Sequence, residues 1–203
     1  MNVAGTWKVT LSRSLAITAI ALIFLAPAAA QQLQVQFDPA KTRIDWTLEA
    51  SMHAVHGTFQ LKSGRVSFDA RTGEASGQIT VEAASGDSGN GTRDAKMKKD
   101  VLETSRYPEI IFSPKHVSGF VSGQESSTLQ VAGNFTVHGT THDLTLTLPV
   151  SVKNNTVEGN TKFDVPYVDW GMKNPSNLFL KVEKSVQISI SVVAELQPVQ
   201  ATK

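Results

Sequence analysis

The chain has 203 residues, with 19 Lys+Arg against 18 Asp+Glu, no Cys, and aromatics at only 7%. That near-neutral balance excludes the clustered cationic footprint of a nucleic-acid binder and the polybasic segment that holds a protein on an anionic bilayer. Without Cys there is no disulfide framework and no lipid-modified N-terminal cysteine.

Residues 1–30 read as a cleaved Sec signal peptide. Lys8 and Arg13 make a positive start, and no acidic residue precedes Asp38. Leu15 to Leu25 is a weakly polar to apolar run, followed by Pro27 and the small residues Ala28-Ala29-Ala30 that a signal peptidase reads. Spanning hydrocarbon takes about 20 apolar residues, more than this run supplies. No Arg-Arg pair is present, which favours Sec over the twin-arginine route. Removing Lys8 and Arg13 leaves 17 basic against 18 acidic residues, a net charge of −1. Residues 31–197 then form one domain large enough to support its own core, and 198–203 a short disordered tail. The expected location is the periplasm or outside the cell.

Strand follows strand after that. Ile44, Trp46 and Leu48 alternate with Arg43, Asp45, Thr47 and Glu49. Val66 and Phe68 follow Gly64, and Ile79 and Val81 follow Gly77. Leu129, Val131, Gly133, Phe135 and Val137 share one parity, as do Leu144, Leu146, Leu148 and Val150. Val157, Gly159, Thr161, Phe163 and Val165 keep it more loosely, and Val186, Ile188, Ile190 and Val192 close the series. Period-2 alternation gives each strand one apolar and one polar face. Turn residues separate the runs at Arg71-Thr72-Gly73, Ser122-Gly123-Gln124, His138-Gly139-Thr140-Thr141 and Lys153-Asn154-Asn155. One segment breaks the pattern. Ser85 to Asn90 reads as a loop, and Thr92 to Leu102 as a short helix with Thr92 as N-cap and Met97 and Val101 as a narrow apolar stripe.

The pattern predicts an all-β fold: a single antiparallel β-barrel of about eight strands, with a short helix near residues 92–102 over one end. Alternation alone does not say which face is inside. A small outer-membrane barrel carries apolar residues outward, but needs aromatic girdles at both interfaces. With aromatics this scarce, a barrel that is apolar within is preferred.

Four elements in order resemble the YceI-like family of periplasmic, lipocalin-like barrels that bind polyisoprenoids. They are His56-Gly57-Thr58-Phe59 after the opening strand, Gly91-Thr92-Arg93-Asp94 leading into the helix, Tyr107-Pro108-Glu109-Ile110-Ile111-Phe112, and Gly133 to Thr141. The resemblance covers roughly Gln36 to Leu196. The chain departs from it at Pro166 to Met172, where a usual Arg is missing, and in the loop Lys173 to Leu178. The resemblance implies a lipocalin-like barrel that holds an isoprenoid-type lipid, such as a polyprenyl chain or an isoprenoid quinone, without covalent chemistry or a further cofactor. Transient membrane contact and a homodimer stay open.

The candidate apolar lining is Trp46, Phe59, Phe68, Phe112, Val131, Phe135, Leu146, Phe163, Ile188 and Ile190; the alternative is that they pack a filled core. Arg93 and Asp94 are candidates for a polar headgroup, or else for an ion pair at the helix start. Trp170 is a candidate gate at the barrel mouth, or an ordinary packed aromatic. His53 and His56, and His138 and His142, have spacings that suit a metal only on a helix, and both pairs sit in strand or turn context, so no metal site is expected. There is no G-x-S-x-G elbow. An enzyme acting on an apolar substrate in the same barrel would use His138, His142 or Asp169 as acid or base.

Overall fold

The computed structural model describes Met1 and residues 32–120, 125–176 and 181–198. The predicted signal segment beyond Met1, the Ser122-Gly123-Gln124 turn, Asn177 and Leu178, and residues 199–203 lie outside that set. Nine strands form one antiparallel sheet closed on itself: β1 (Gln32–Phe37), β2 (Arg43–Leu48), β3 (Val55–Asp69), β4 (Ala75–Asp87), β5 (Glu109–Ser118), β6 (Ser126–Val137), β7 (Thr140–Lys153), β8 (Thr156–Val165) and β9 (Val186–Pro198). Pairing of β3 with β4 closes the ring.

Nine strands make eight staves, because β1 and β2 share one. β1 lies against Arg65–Asp69 of β3 and Ala194–Pro198 of β9, while β2 lies against Val55–Phe59 and Gln187–Ser191 of the same two strands. The break between them is stitched to β9 by Thr42, whose Oγ donates to the Val193 carbonyl (3.1 Å) and accepts from the Val193 amide (3.2 Å).

Turn chemistry sets the hairpins. His138 and Gly139 (φ 50° and 74°) form the two-residue β6–β7 loop, and Asn154 and Asn155 (48° and 66°) the β7–β8 loop. Two successive residues with positive φ give the turn whose twist matches the flanking strands. At the β3–β4 turn Asp69 accepts from the amides of Arg71 and Thr72 (2.8 and 3.0 Å).

The apolar rows point inward. Ile44, Trp46, Val66, Phe68, Phe112, Val150 and Val192 are buried, whereas Lys162, Asp164, Gln187 and Ser191 on the opposite faces are exposed. That is the reverse of a lipid-facing barrel. Among the described residues, no helix is long and apolar enough to cross a membrane.

The segment over one end differs from the sequence reading in two respects. β4 continues through Ser85, Gly86 and Asp87, so the loop shrinks to Ser88–Asn90. Ser85 Oγ accepts from the Gln60 amide at a β3 bulge (2.8 Å), and Asp87 lies opposite Thr58, so sheet pairing overrides loop-like composition. The N-cap is Asn90 and not Thr92. Asn90 is extended (φ −136°, ψ 102°), and its side chain accepts from the Arg93 amide, leaving Thr92 inside helix α1 (Gly91–Lys96). α1 runs directly into a π turn, Met97–Val101. At the far end of the chain, β9 reaches Pro198, one residue past the predicted domain boundary.

Candidate functional site

The barrel is hollow. Among the described residues no large side chain is fully buried, since many inward groups face space and not another side chain. A deep compartment of about 160 Å³ lies between Phe68, Phe112, Val131, Leu146, Phe163 and Ile190 and their neighbours. A larger one of about 560 Å³ lies under the helical segment, walled by Trp46, Phe59, Ile188 and residues of the lid and of the 166–176 segment. Ile110 and Phe135 line both, so the two compartments are neighbours. Together they fall in the range of small-molecule sites, about 300–1,000 Å³. All ten side chains of the candidate lining stand on these walls.

Polarity changes along the cavity. The deep compartment is apolar apart from Thr42 and Thr161, and both hydroxyls are occupied, Thr42 by Val193 and Thr161 by the Thr147 carbonyl (2.9 Å). Phe68 and Val117 of its wall pack with Leu33 into one buried cluster, with Phe120 edge-on to Phe68 at 5.4 Å. The compartment under the lid adds His53, Asn90, Thr92, Arg93 and Lys96 to its wall.

The lid approaches closely because Gly86 has no side chain: a Cβ there would lie 2.5 Å from Met97 Cε and 2.8 Å from Phe59 Cε1. Met97 and Val101, the predicted stripe, both face the cavity. The lid is held at its start by Ser88, whose amide and hydroxyl both donate to Asp94 Oδ1. Arg93 donates to the same residue, from Nε to the Ser88 hydroxyl (2.7 Å) and from Nη2 to its carbonyl (2.8 Å). Burial opposes ionisation of Asp94, but the Ser88 hydrogen bonds, with Lys98 and Arg93 nearby, outweigh it and hold the carboxyl below its usual range. Asp94 is off the cavity wall and fastens the lid, while Arg93 lines the cavity. Beyond the lid, Tyr107 packs on the β6–β7 hairpin, with its ring 4.6 Å from that of His138.

Trp170 is not on the cavity wall. Its ring stacks on His142 (4.0 Å, 7° between planes) and lies 5.9 Å from Phe135. The β7–β8 ladder ends at Val150 and Gly159, and the Trp170–His142 stack bridges the stretch beyond, where β7 and β8 are no longer in register pairs. The segment that departs from the family pattern also supplies Tyr167 and Met172, each 4% exposed, to the upper wall. No strand parity marks either residue in the sequence. Tyr167 donates to the Glu183 carbonyl (2.8 Å), and burial, with Glu183 nearby, pushes its phenol up to about 12.

The residues of the enzyme alternative are not brought together on the wall. His138 Nε2 lies 3.3 Å from Glu103 Oε1 without hydrogen-bond geometry, His142 bonds Thr140 Oγ (2.9 Å), Asp169 is exposed, and none of the three lines either compartment. His53 lines the cavity, whereas His56 Nδ1 pairs with Thr47 Oγ (2.9 Å). Among the described residues no three His, Asp or Glu side chains converge as a metal site would need.

Known proteins share this architecture. The chain is 32% identical over 142 residues to a UPF0312 protein of Pseudomonas savastanoi, covering 67% of this chain and 71% of that one. To a UPF0312 protein of Pseudomonas fluorescens it is 28% identical over 176 residues, covering 81% and 90%. Solved structures that share its fold include the following two. One is BcnA of Burkholderia cenocepacia (TM-score 0.61, 19% identity, 77% of this chain and 98% of that one). The other is a polyisoprenoid binding domain from Saccharophagus degradans implicated in plant cell wall breakdown (TM-score 0.64, 15% identity, 80% and 98%). The sequence model of the YceI-like domain matches residues 35–194, and the chain belongs to that family.

Proposed function

We propose that this protein holds a long-chain apolar lipid of isoprenoid type inside its barrel, for storage or transfer in the periplasm, with no covalent chemistry and no cofactor. The observation that carries the reading is the pair of neighbouring apolar compartments with polar groups at one end only. An amphiphile fits that gradient in one direction, with its tail in the deep compartment and its head under the lid. The likeness in fold to a polyisoprenoid binding domain supports the same ligand class.

The test is native mass spectrometry of protein purified from the periplasm of its own organism, followed by extraction and identification of any bound lipid. A stoichiometric lipid carrying a long apolar chain is the expected result. Recovery of lipid-free protein that also takes up no geranylgeraniol from detergent would overturn the reading. Fractionation of the cell envelope checks the location, and retention in the cytoplasm would refute that part alone.

A further inference from the structure

The wall of the upper compartment has a sign. Its polar members are His53, Asn90, Thr92, Arg93 and Lys96, with Trp46, whose buried Nε1 has no partner among the described residues, and Tyr167, whose hydroxyl is spent on the Glu183 carbonyl. Two, Arg93 and Lys96, are basic, and among the described residues no carboxylate is on the wall. The nearest acidic residue in sequence, Asp94, is buried, turned to Ser88 and off the wall. Arg93 is preset: Ser88 takes Nε and Nη2 of the guanidinium, and Nη1 has no partner among the described residues. Lys96, exposed, makes no ion pair with any described residue. The Asn90 carbonyl oxygen of the side chain is used on the Arg93 amide, which leaves its NH₂ as a further donor.

A neutral quinone ring or a free alcohol needs one or two hydrogen bonds and no charge. A wall with two cations and no carboxylate instead matches a group that accepts several hydrogen bonds and carries negative charge. We infer that the ligand is an anionic amphiphile, with a phosphate or carboxylate on an apolar chain, its head placed between Arg93 and Lys96. This rests on the proposed lipid-binding function and specifies the head for that same cavity. The deep compartment offers no partner for a charge, so the opposite orientation strands the anion.

The experiment compares three probes with the same chain: geranylgeranyl monophosphate, geranylgeranoic acid and geranylgeraniol, titrated into the purified, delipidated protein by calorimetry. At about 50 mM salt at least one anionic probe binds about tenfold tighter than the alcohol, and the margin shrinks at about 0.5 M salt because ion pairs near the surface are screened. The acid and the phosphate distinguish the two kinds of head. Lys96→Glu removes most of the margin, read as the ratio of anion to alcohol affinity within the same variant. Lys96 is exposed, so this variant tests charge without disturbing the lid, and Arg93→Gln follows as the second variant. Alcohol binding as tight as both anions, or a margin indifferent to both substitutions, overturns the anionic head while leaving lipid binding in place. Failure of all three probes to bind overturns the lipid-binding function itself.

Discussion

Filling the deep compartment separates a hollow barrel from a packed one. Val131 lies on its wall, paired with Val117 on β5 and Leu146 on β7. Val131→Phe adds about four carbons. In a close-packed interior such an insertion forces neighbours aside and costs about 1–3 kcal/mol. Here the same atoms enter a cavity of about 160 Å³, when a single water needs only about 10–15 Å³ on this scale. At about 0.8 kcal/mol per buried CH₂ the gross gain reaches about 3 kcal/mol. Ordering the side chain takes back about 0.5–1 kcal/mol, and imperfect shape takes more. The expected outcome in urea unfolding of lipid-free protein is a change between about zero and 2 kcal/mol in the stabilising direction, with an unchanged m-value. The same substitution weakens geranylgeraniol binding, because the ring occupies space the tail needs. A loss of 1–3 kcal/mol with binding unaltered would mean that this interior is filled, and the reasoning fails.

Three further outcomes follow from single contacts. Gly139→Ala places a methyl 2.5 Å from Tyr107 Cε1 at a φ of +74°, so it destabilises by about 1–3 kcal/mol in urea unfolding; a neutral result contradicts the geometry. Tyr167 is neutral when folded and its phenol is raised to about 12. Its contribution is therefore complete below pH 10 and is lost as pH rises from about 10 to 12. Tyr167→Phe removes that part of the alkaline decline in thermal unfolding, and an unchanged alkaline limb refutes the assignment. Asp94 has the opposite sign: its carboxyl is held low, so its contribution is present above the unfolded carboxyl pKa and lost as pH falls through the lowered value. Protection from hydrogen exchange at Arg93–Met97, taken relative to the intrinsic rate at each pH, falls in acid in the natural protein and is already low at neutral pH in Asp94→Asn. Equal protection in both would count against the Ser88–Asp94 fastening.

The barrel was legible because period-2 alternation reports one thing, the side of the sheet on which a residue lies. Parity alone therefore puts Phe135, Leu146 and Phe163 on one face, and that face is the cavity wall. The hairpins were equally local, since His138-Gly139 and Asn154-Asn155 carry the positive φ their turns require. β1 carries the same signal, Leu33, Val35 and Phe37 between glutamines, but it follows a segment read as cleaved and was passed over. Ser85 to Asp87 misled because composition favours a loop, while the partner that makes it a strand is more than twenty residues away. The upper wall was the least legible part. Tyr167, Met172 and Lys96 share no period, and what joins them is a cavity under a lid, a property of the closed chain alone. Trp170 reads from the sequence as either a gate or a packed aromatic, and its partner His142, in a stack that no spacing announces, favours the second.

Retention and release make opposing demands on such a site. Moving a 40-carbon chain from water would nominally gain on the order of 30 kcal/mol at about 0.8 kcal/mol per CH₂, beyond the ceiling of about 18–21 kcal/mol for non-covalent binding. Water is the wrong reference, because a membrane lipid is already out of it. The apolar wall has only to match hydrocarbon, and the rate of exchange then rests on the lid. The lid is joined to the barrel rim through Tyr107, which packs on Gly139 and His138 and has Arg106 over its ring at 5.1 Å. Tyr107 lies outside both compartments, so Tyr107→Ala removes an anchor and no ligand contact. Opening then becomes more frequent, and uptake and release accelerate by similar factors while Kd changes little. Stopped-flow transfer of a fluorescent polyprenyl probe between the protein and neutral vesicles reads both rates. A variant that weakens Kd at an unchanged rate of uptake would place Tyr107 in the binding wall and remove the lid from the exchange path.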